Sequence, residues 1–217
     1  VGKPIGNYYL LVQDGIFATE EDLKKYPHFD NTEVGDFRFV DVDGDGKLDL
    51  DKDRTICGNY MPKFTYGFGG KLCVYGNKIL NLNKRYLDNM EGNTNGTKIA
   101  LDRWKSPENP GSGSVNKANR KQTGYNSRTS TWHLESGSYL RLQNLSLGYT
   151  LPRALTQKFK VEKMRVYVSG QNLFTITNYS GYNPEVNARP SKNLTPGEDY
   201  GTYPLARTYM FGLNLTL

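Results

Sequence analysis

The sequence predicts an all-β chain of antiparallel strands with long loops and one or two short helices. Three observations carry this. Period-two alternation recurs along the 217 residues, whereas helical periodicity is scarce. The composition, with 16 Tyr and 23 Gly, suits strands broken by many turns. Polar stretches without any period separate the strands. Hydrophobic residues make up 36% of the chain and mean hydropathy is −0.67. No run of 18 apolar residues occurs, which excludes membrane-spanning helices. A transmembrane β-barrel is compatible with these values, because its strands alternate apolar and polar residues.

Taken in order, Gly6 to Val12 is apolar and Tyr-rich and reads as a strand. Thr19 to Tyr26 is the best helix. Thr19 can cap it, acids fill its first turn, and Pro27 stops it. Gly35 to Val40 alternates. Phe64, Tyr66, Phe68, Gly70, Leu72 and Val74 form one face of a further strand. Ser138 to Leu151 is long enough to cross a bilayer, which takes about 9–11 residues. Its apolar phase slips near Asn144, between Leu142 and Leu145, as at a bulge. A short helical turn fits Pro152 to Phe159. Met164, Val166 and Val168 then oppose Arg165, Tyr167 and Ser169. In the final segment Tyr209, Phe211, Leu213, Leu215 and Leu217 face one way, and Met210, Gly212, Asn214 and Thr216 the other. Such a strand packs on a core in a soluble protein, or meets lipid in a barrel. Asp88 to Asn95, Ser106 to Arg128 and Asn183 to Tyr203 read as loops, long for a compact domain but expected on the outer side of barrels.

Net charge is +6, but Lys and Arg are scattered rather than clustered with aromatics, so the charge reads as a solvated surface and not as a nucleic-acid footprint. Cys57 and Cys73 have no zinc spacing. His28 and His133 have no nucleophile motif beside them, and neither a nucleophile elbow nor a phosphate-cradling glycine loop occurs, so an enzyme is not expected. Trp132 with nearby tyrosines is a candidate sugar platform, against the commoner reading of an interface aromatic.

One segment carries sharp site chemistry. In a loop spanning 39–54, Asp41, Asp43 and Asp45 offer oxygens at alternate positions, Gly46 permits a sharp turn, and the Lys47 carbonyl and Asp49 follow at calcium-loop spacing. Hard oxygen ligands suit Ca²⁺. The twelfth position holds Lys52 instead of a bidentate Glu, and Asp53 beside it can supply a carboxylate. No helix pair flanks the loop. The expectation is a structural Ca²⁺, against a plain Asp/Gly-rich turn.

Several segments resemble one family and occur in its order. They include Gly2-Lys3-Pro4-Ile5-Gly6, Asp14-Gly15-Ile16-Phe17, Gly35-Asp36-Phe37-Arg38-Phe39 and Pro62-Lys63-Phe64-Thr65-Tyr66-Gly67-Phe68. Further on stand Gly137 to Tyr149, Arg165-Val166-Tyr167-Val168-Ser169-Gly170-Gln171-Asn172-Leu173-Phe174, Gly181-Tyr182-Asn183-Pro184-Glu185 and Asp199-Tyr200-Gly201. Collinear over nearly the whole chain, they resemble the SusC/RagA type of TonB-linked outer-membrane protein (the TonB-dependent receptors and transporters). The resemblance implies that residues 1–217 are the C-terminal portion of a large barrel, without its plug. It also implies nutrient uptake at the cell outer membrane: import of an oligosaccharide or peptide substrate, with a SusD-like lipoprotein partner, the TonB complex acting through an absent N-terminal part, and lipid around the strands. The family usually ends in Phe where this chain ends in Leu217. It usually has a further strand where Tyr75 and Gly76 adjoin here, which implies a missing segment near 75–76. The alternative is a secreted soluble β-domain with a structural calcium loop, binding carbohydrate or protein. It requires the apolar faces to pack on a second sheet.

Overall fold

A computed structural model describes residues 2–67, 72–75, 77–90, 95–118, 123–186 and 196–216. In chain order the elements are β1 (Asn7–Leu11), β2 (Gln13–Ile16), α1 (Glu20–Lys25), β3 (Phe37–Phe39), β4 (Arg54–Asn59), β5 (Thr65–Tyr66) and β6 (Leu72–Tyr75). There follow β7 (Lys78–Asn81), α2 (Lys84–Leu87), β8 (Leu134–Ser136), β9 (Tyr139–Thr150), α3 (Arg153–Thr156), β10 (Lys163–Thr177), β11 (Glu198–Asp199) and β12 (Thr208–Thr216). None of the described helices is long and apolar enough to cross a membrane.

The chain divides into two units. Unit 1 comprises Val1–Met61, Lys78–Glu135 and Glu185–Thr202. Its strands form short pairs: β1 with β4, β2 with β3, and β7 between β8 and β11. Pairs this small are stable only when packed, and here they enclose apolar clusters. Leu11, Ile16, Phe29, Phe37 and Phe39 form one, with Trp104, Tyr125 and Trp132 against it. Tyr8, Leu10, Leu80 and Leu82 form another. α1 begins with a capping box: Thr19 accepts from the Asp22 amide, and Asp22 Oδ2 accepts from the Thr19 amide at 3.0 Å.

Within Ser106 to Arg128, expected as a loop, several of the described residues pack into this unit. Val115 and Asn116 are buried. Asn126 is stapled reciprocally to the start of β3: it accepts from the Phe37 amide at 2.7 Å and donates to buried Asp36 at 2.9 Å. Polar composition hides such a segment from a periodicity reading, because its buried residues are held by hydrogen bonds instead of an apolar stripe.

Unit 2 comprises Pro62–Asn77, Ser136–Pro184 and Tyr203–Leu217. It is one five-stranded antiparallel sheet in the order β12-β10-β9-β6-β5. The alternation from Phe64 to Val74 is two strands, not one. Thr65 pairs with Tyr75 and Tyr66 with Val74, so the chain reverses between β5 and β6. Residues 68–71 and 76 lie outside the described ones. The expected bulge is present at the level of Asn144, but the partner strand carries it. Register shifts between Gln171 and Phe174 of β10, where Asn172 takes a left-handed φ of 53°.

Candidate functional site

The carboxylates of Asp41, Asp43 and Asp45 offer oxygens within 4.8 Å of one another. A Ca²⁺ bound at about 2.3–2.6 Å from each oxygen spans a similar distance, so the three fit one cation in size and hardness. Backbone geometry gathers them. Asp41 accepts the Gly44 and Gly46 amides at 2.7 and 2.8 Å, Asp43 accepts the Asp45 amide, and Asp45 accepts the Lys47 amide. Gly44 and Gly46 have φ of 75° and 82°, the left-handed region where glycine is unstrained. The Gly46 amide, above all, holds the Asp41 carboxyl below the usual carboxylate range, and the Asp51 amide does the same for Asp49.

The remaining residues expected in the ligand set lie around the same loop. Asp53 is fully buried and clasps the loop, taking the Val42 amide at 2.8 Å and the Asp49 amide at 2.6 Å on its two oxygens. Asp49 accepts the amides of Asp51 and Lys52. Neither joins the three clustered carboxylates. Lys47 contributes its amide to the Asp45 turn. The ammonium of Lys52, where a calcium loop has its glutamate, sits 3.8 Å from Asp45.

Trp132 is no exposed sugar platform. It packs on Phe37 with ring centroids 5.3 Å apart, and Lys84 lies 4.4 Å over its face. His133 is buried, and burial, with Arg85 and Lys84 nearby, pushes its pKa down to about 3. Its Nδ1 accepts from the Ser130 amide at 3.3 Å, so the neutral ring carries its proton on Nε2.

The sheet of unit 2 presents the second feature. Register aligns apolar side chains in rows across three strands: Tyr149, Val166 and Leu213, then Leu147, Val168 and Phe211, with Leu145 and Tyr209 flanking Gly170. Leu147 is 69% exposed, Leu213 54% and Phe211 80%, so this apolar face is bare. Gly148, Tyr167 and Gly212, with Ser146, Ser169 and Met210, line the reverse face. Arg141, which sequence reasoning passed over, is buried in β9. It donates from Nε to Thr175 at 2.9 Å and from a terminal nitrogen to Asn183 at 2.8 Å. An arginine between two leucines, Leu140 and Leu142, was the available signal.

Similarity to known proteins follows this architecture. No family model matches the chain. TonB-dependent receptor P3 of Formosa agariphila is 35% identical over 99% of this chain and 22% of its own length. TonB-dependent receptor SusC of Bacteroides thetaiotaomicron is 37% identical over 40% of this chain and 8% of its own. Among solved structures, the RagAB peptide transporter superposes with a TM-score of 0.69 at 23% identity, covering 96% of this chain and 22% of the transporter chain. The RagAB peptide importer in its "open-open" state gives 0.71 at 22% identity, over 100% of this chain and 23% of that one. The chain thus spans about a fifth of the length of the curated relatives it matches. The strands of unit 2 are strands of a transmembrane β-barrel, and the chain belongs to the SusC/RagA type of TonB-dependent receptors, which are not enzymes.

Proposed function

We propose that the whole protein imports oligosaccharides or peptides across the outer membrane, energised by the TonB complex through parts outside this chain and working with a SusD-like lipoprotein. Receptors of this kind supply the frame, and the RagAB relatives are peptide transporters. The observation that carries the reading is the bare apolar face of Leu147, Val168 and Phe211 in register across β9, β10 and β12. In water such a face drives aggregation; against acyl chains it is stabilised at about 25 cal/mol per Å². β9, β10 and β12 have 12, 15 and 9 residues, enough to span a hydrocarbon core. The soluble-domain alternative needs a second sheet on that face, and none covers it among the described residues.

The test is made on the full-length protein in its own cells. Deleting its gene should abolish uptake of an oligosaccharide or peptide, and a tagged copy should fractionate with the outer membrane and retain a lipoprotein through purification in detergent. Recovery of the full-length protein as a detergent-free monomer would sink the reading.

The same reading gives the loop of Asp41, Asp43 and Asp45 a structural Ca²⁺. It would replace repulsion among three clustered carboxylates with coordination and stiffen the turn that Asp53 clasps. Calorimetric titration of the purified protein with millimolar Ca²⁺ should give a binding heat that Asp43→Asn weakens. Absence of heat removes the ion from the account.

A further inference from the structure

Unit 1 holds an open pocket of about 270 Å³ between β1, β7 and the strap that carries β11. Gly197 fixes the strap. Its φ is 80°, and a Cβ there would lie 2.2 Å from both the Tyr8 hydroxyl and the Tyr60 ring, so no other residue brings the chain this close. The Tyr8 hydroxyl donates to the Gly197 carbonyl at 3.0 Å, and the Leu80 amide donates to the same carbonyl at 3.0 Å. The strap thereby delivers Glu198 and Tyr200 to the pocket wall, which Tyr9 of β1 also lines. Arg54 of β4 and Arg85 of α2 line it as well.

Among the described residues the charges there are unmatched. Neither Arg54 nor Arg85 forms an ion pair with a described residue, and neither does Glu198. Arg85 donates to Thr129, while its Nε is buried without a partner. Among the described lining residues, two guanidiniums against one carboxylate leave one positive charge over in a concave, polar site. A half-buried guanidinium left without a carboxylate is costly, and a planar oxyanion meets its fork of donors with two parallel hydrogen bonds. The exposed rings of Tyr9 and Tyr200 supply flat apolar walls beside that charge.

We propose that this pocket is a subsite for a carboxylate on the solute, held by Arg54 and Arg85, so that the imported class includes acidic oligosaccharides or acidic peptides. The volume suits one sugar or one amino-acid residue of a longer solute. The inference rests on the import reading above.

The test uses the purified full-length receptor in detergent and saturation-transfer NMR, which detects weak subsite binding. Glucuronate is compared with glucose, and acetylated, amidated glutamate with the corresponding glutamine. The acidic member of at least one pair should give the stronger signal, and whichever pair responds identifies the sugar or the peptide source. Arg54→Gln and Arg85→Gln should each cut that signal about tenfold, the effect of losing one charge-assisted contact of about 1.4 kcal/mol. Because Arg85 is partly built into the structure, Arg54→Gln with an unchanged melting temperature is the deciding variant. Equal signals within both pairs, or an acid preference that survives Arg54→Gln, overturn the proposal. Uptake measured in cells separates the two readings: uptake without an acid preference in the NMR leaves import standing and removes the subsite, whereas an Arg54-dependent acid signal in a protein that supports no uptake removes import and keeps the subsite.

Discussion

Unit 1 and unit 2 are built from similar strands yet solve opposite problems. In unit 1 no strand pair is wide enough to stand alone, and every one turns Leu, Phe or Ile inward: Phe37 and Leu11 have almost no exposed surface. In unit 2 the sheet is wide, with β10 paired to β12 over Lys163–Gln171 and to β9 on both sides of its bulge, and the apolar face shared by β9, β10 and β12 is bare. Backbone pairing is extensive within that sheet, while its apolar face lacks burial. The comparison teaches that backbone pairing and a core are separate requirements. Unit 1 meets both by itself, whereas the apolar face of unit 2 meets only the first among the described residues.

Four experiments break or sharpen that contrast. The largest effect is expected in the core of unit 1, where Phe37→Ala should cost about 3–5 kcal/mol. Phe37 touches Phe39 and Trp132, and its loss leaves a cavity beside the fully buried Asp36. Limited proteolysis of the full-length receptor should then cut within residues 2–61 while the barrel strands stay protected; uniform sensitivity would mean that the two units share one stability. Next, Leu213→Arg on the apolar face of β12 should cost about 2–4 kcal/mol when that face meets hydrocarbon, and Asn214→Arg on the reverse face far less. Outer-membrane yield and heat-modifiable migration in gels report the difference. Equal yields for the two variants would remove the lipid-facing assignment.

The third experiment turns on His133. Its folded pKa, about 3, lies below the ordinary value of 6.5, so the unfolded chain takes up a proton that the native chain refuses. Stability is therefore full above pH 6.5 and falls between pH 6.5 and 3, by at most about 1.4 kcal/mol per pH unit. Denaturant unfolding followed through Trp132 should show this slope, and His133→Gln should flatten it. An identical slope in the variant would assign the acid sensitivity to the carboxylates instead. The smallest effect belongs to the cap of α1. Thr19→Ala should cost about 1 kcal/mol, felt in unit 1 alone, because one orphan amide of the first turn loses its acceptor. Hydrogen exchange at Asp22 should rise with no change in β9 to β12; protection unchanged at Asp22 would mean that packing, not the cap, holds the helix.

The sequence by itself determined the local elements. Thr19 and Asp22 announce a capped helix, the alternation of Tyr209 to Leu215 announces a two-faced strand, and Gly46 announces the turn among the three aspartates. Each of these depends on neighbours a few residues apart, so chain geometry alone specifies it. Tertiary structure decided the rest. Only the folded chain shows that Thr65 and Val74 lie on two strands, that the bulge near Asn144 belongs to β10, and that Asp53 clasps the amides of Val42 and Asp49. Trp132 packs against the core, and Asn116 and Asn126 are buried on amide hydrogen bonds that leave no period to read. Arg54, Arg85 and Glu198 stand far apart in sequence and share one pocket only because β1, β4, β7 and β11 converge. The reason is physical: period and caps are fixed by bond geometry between near neighbours, whereas the partner of a buried polar group depends on which distant segments the whole fold brings beside it.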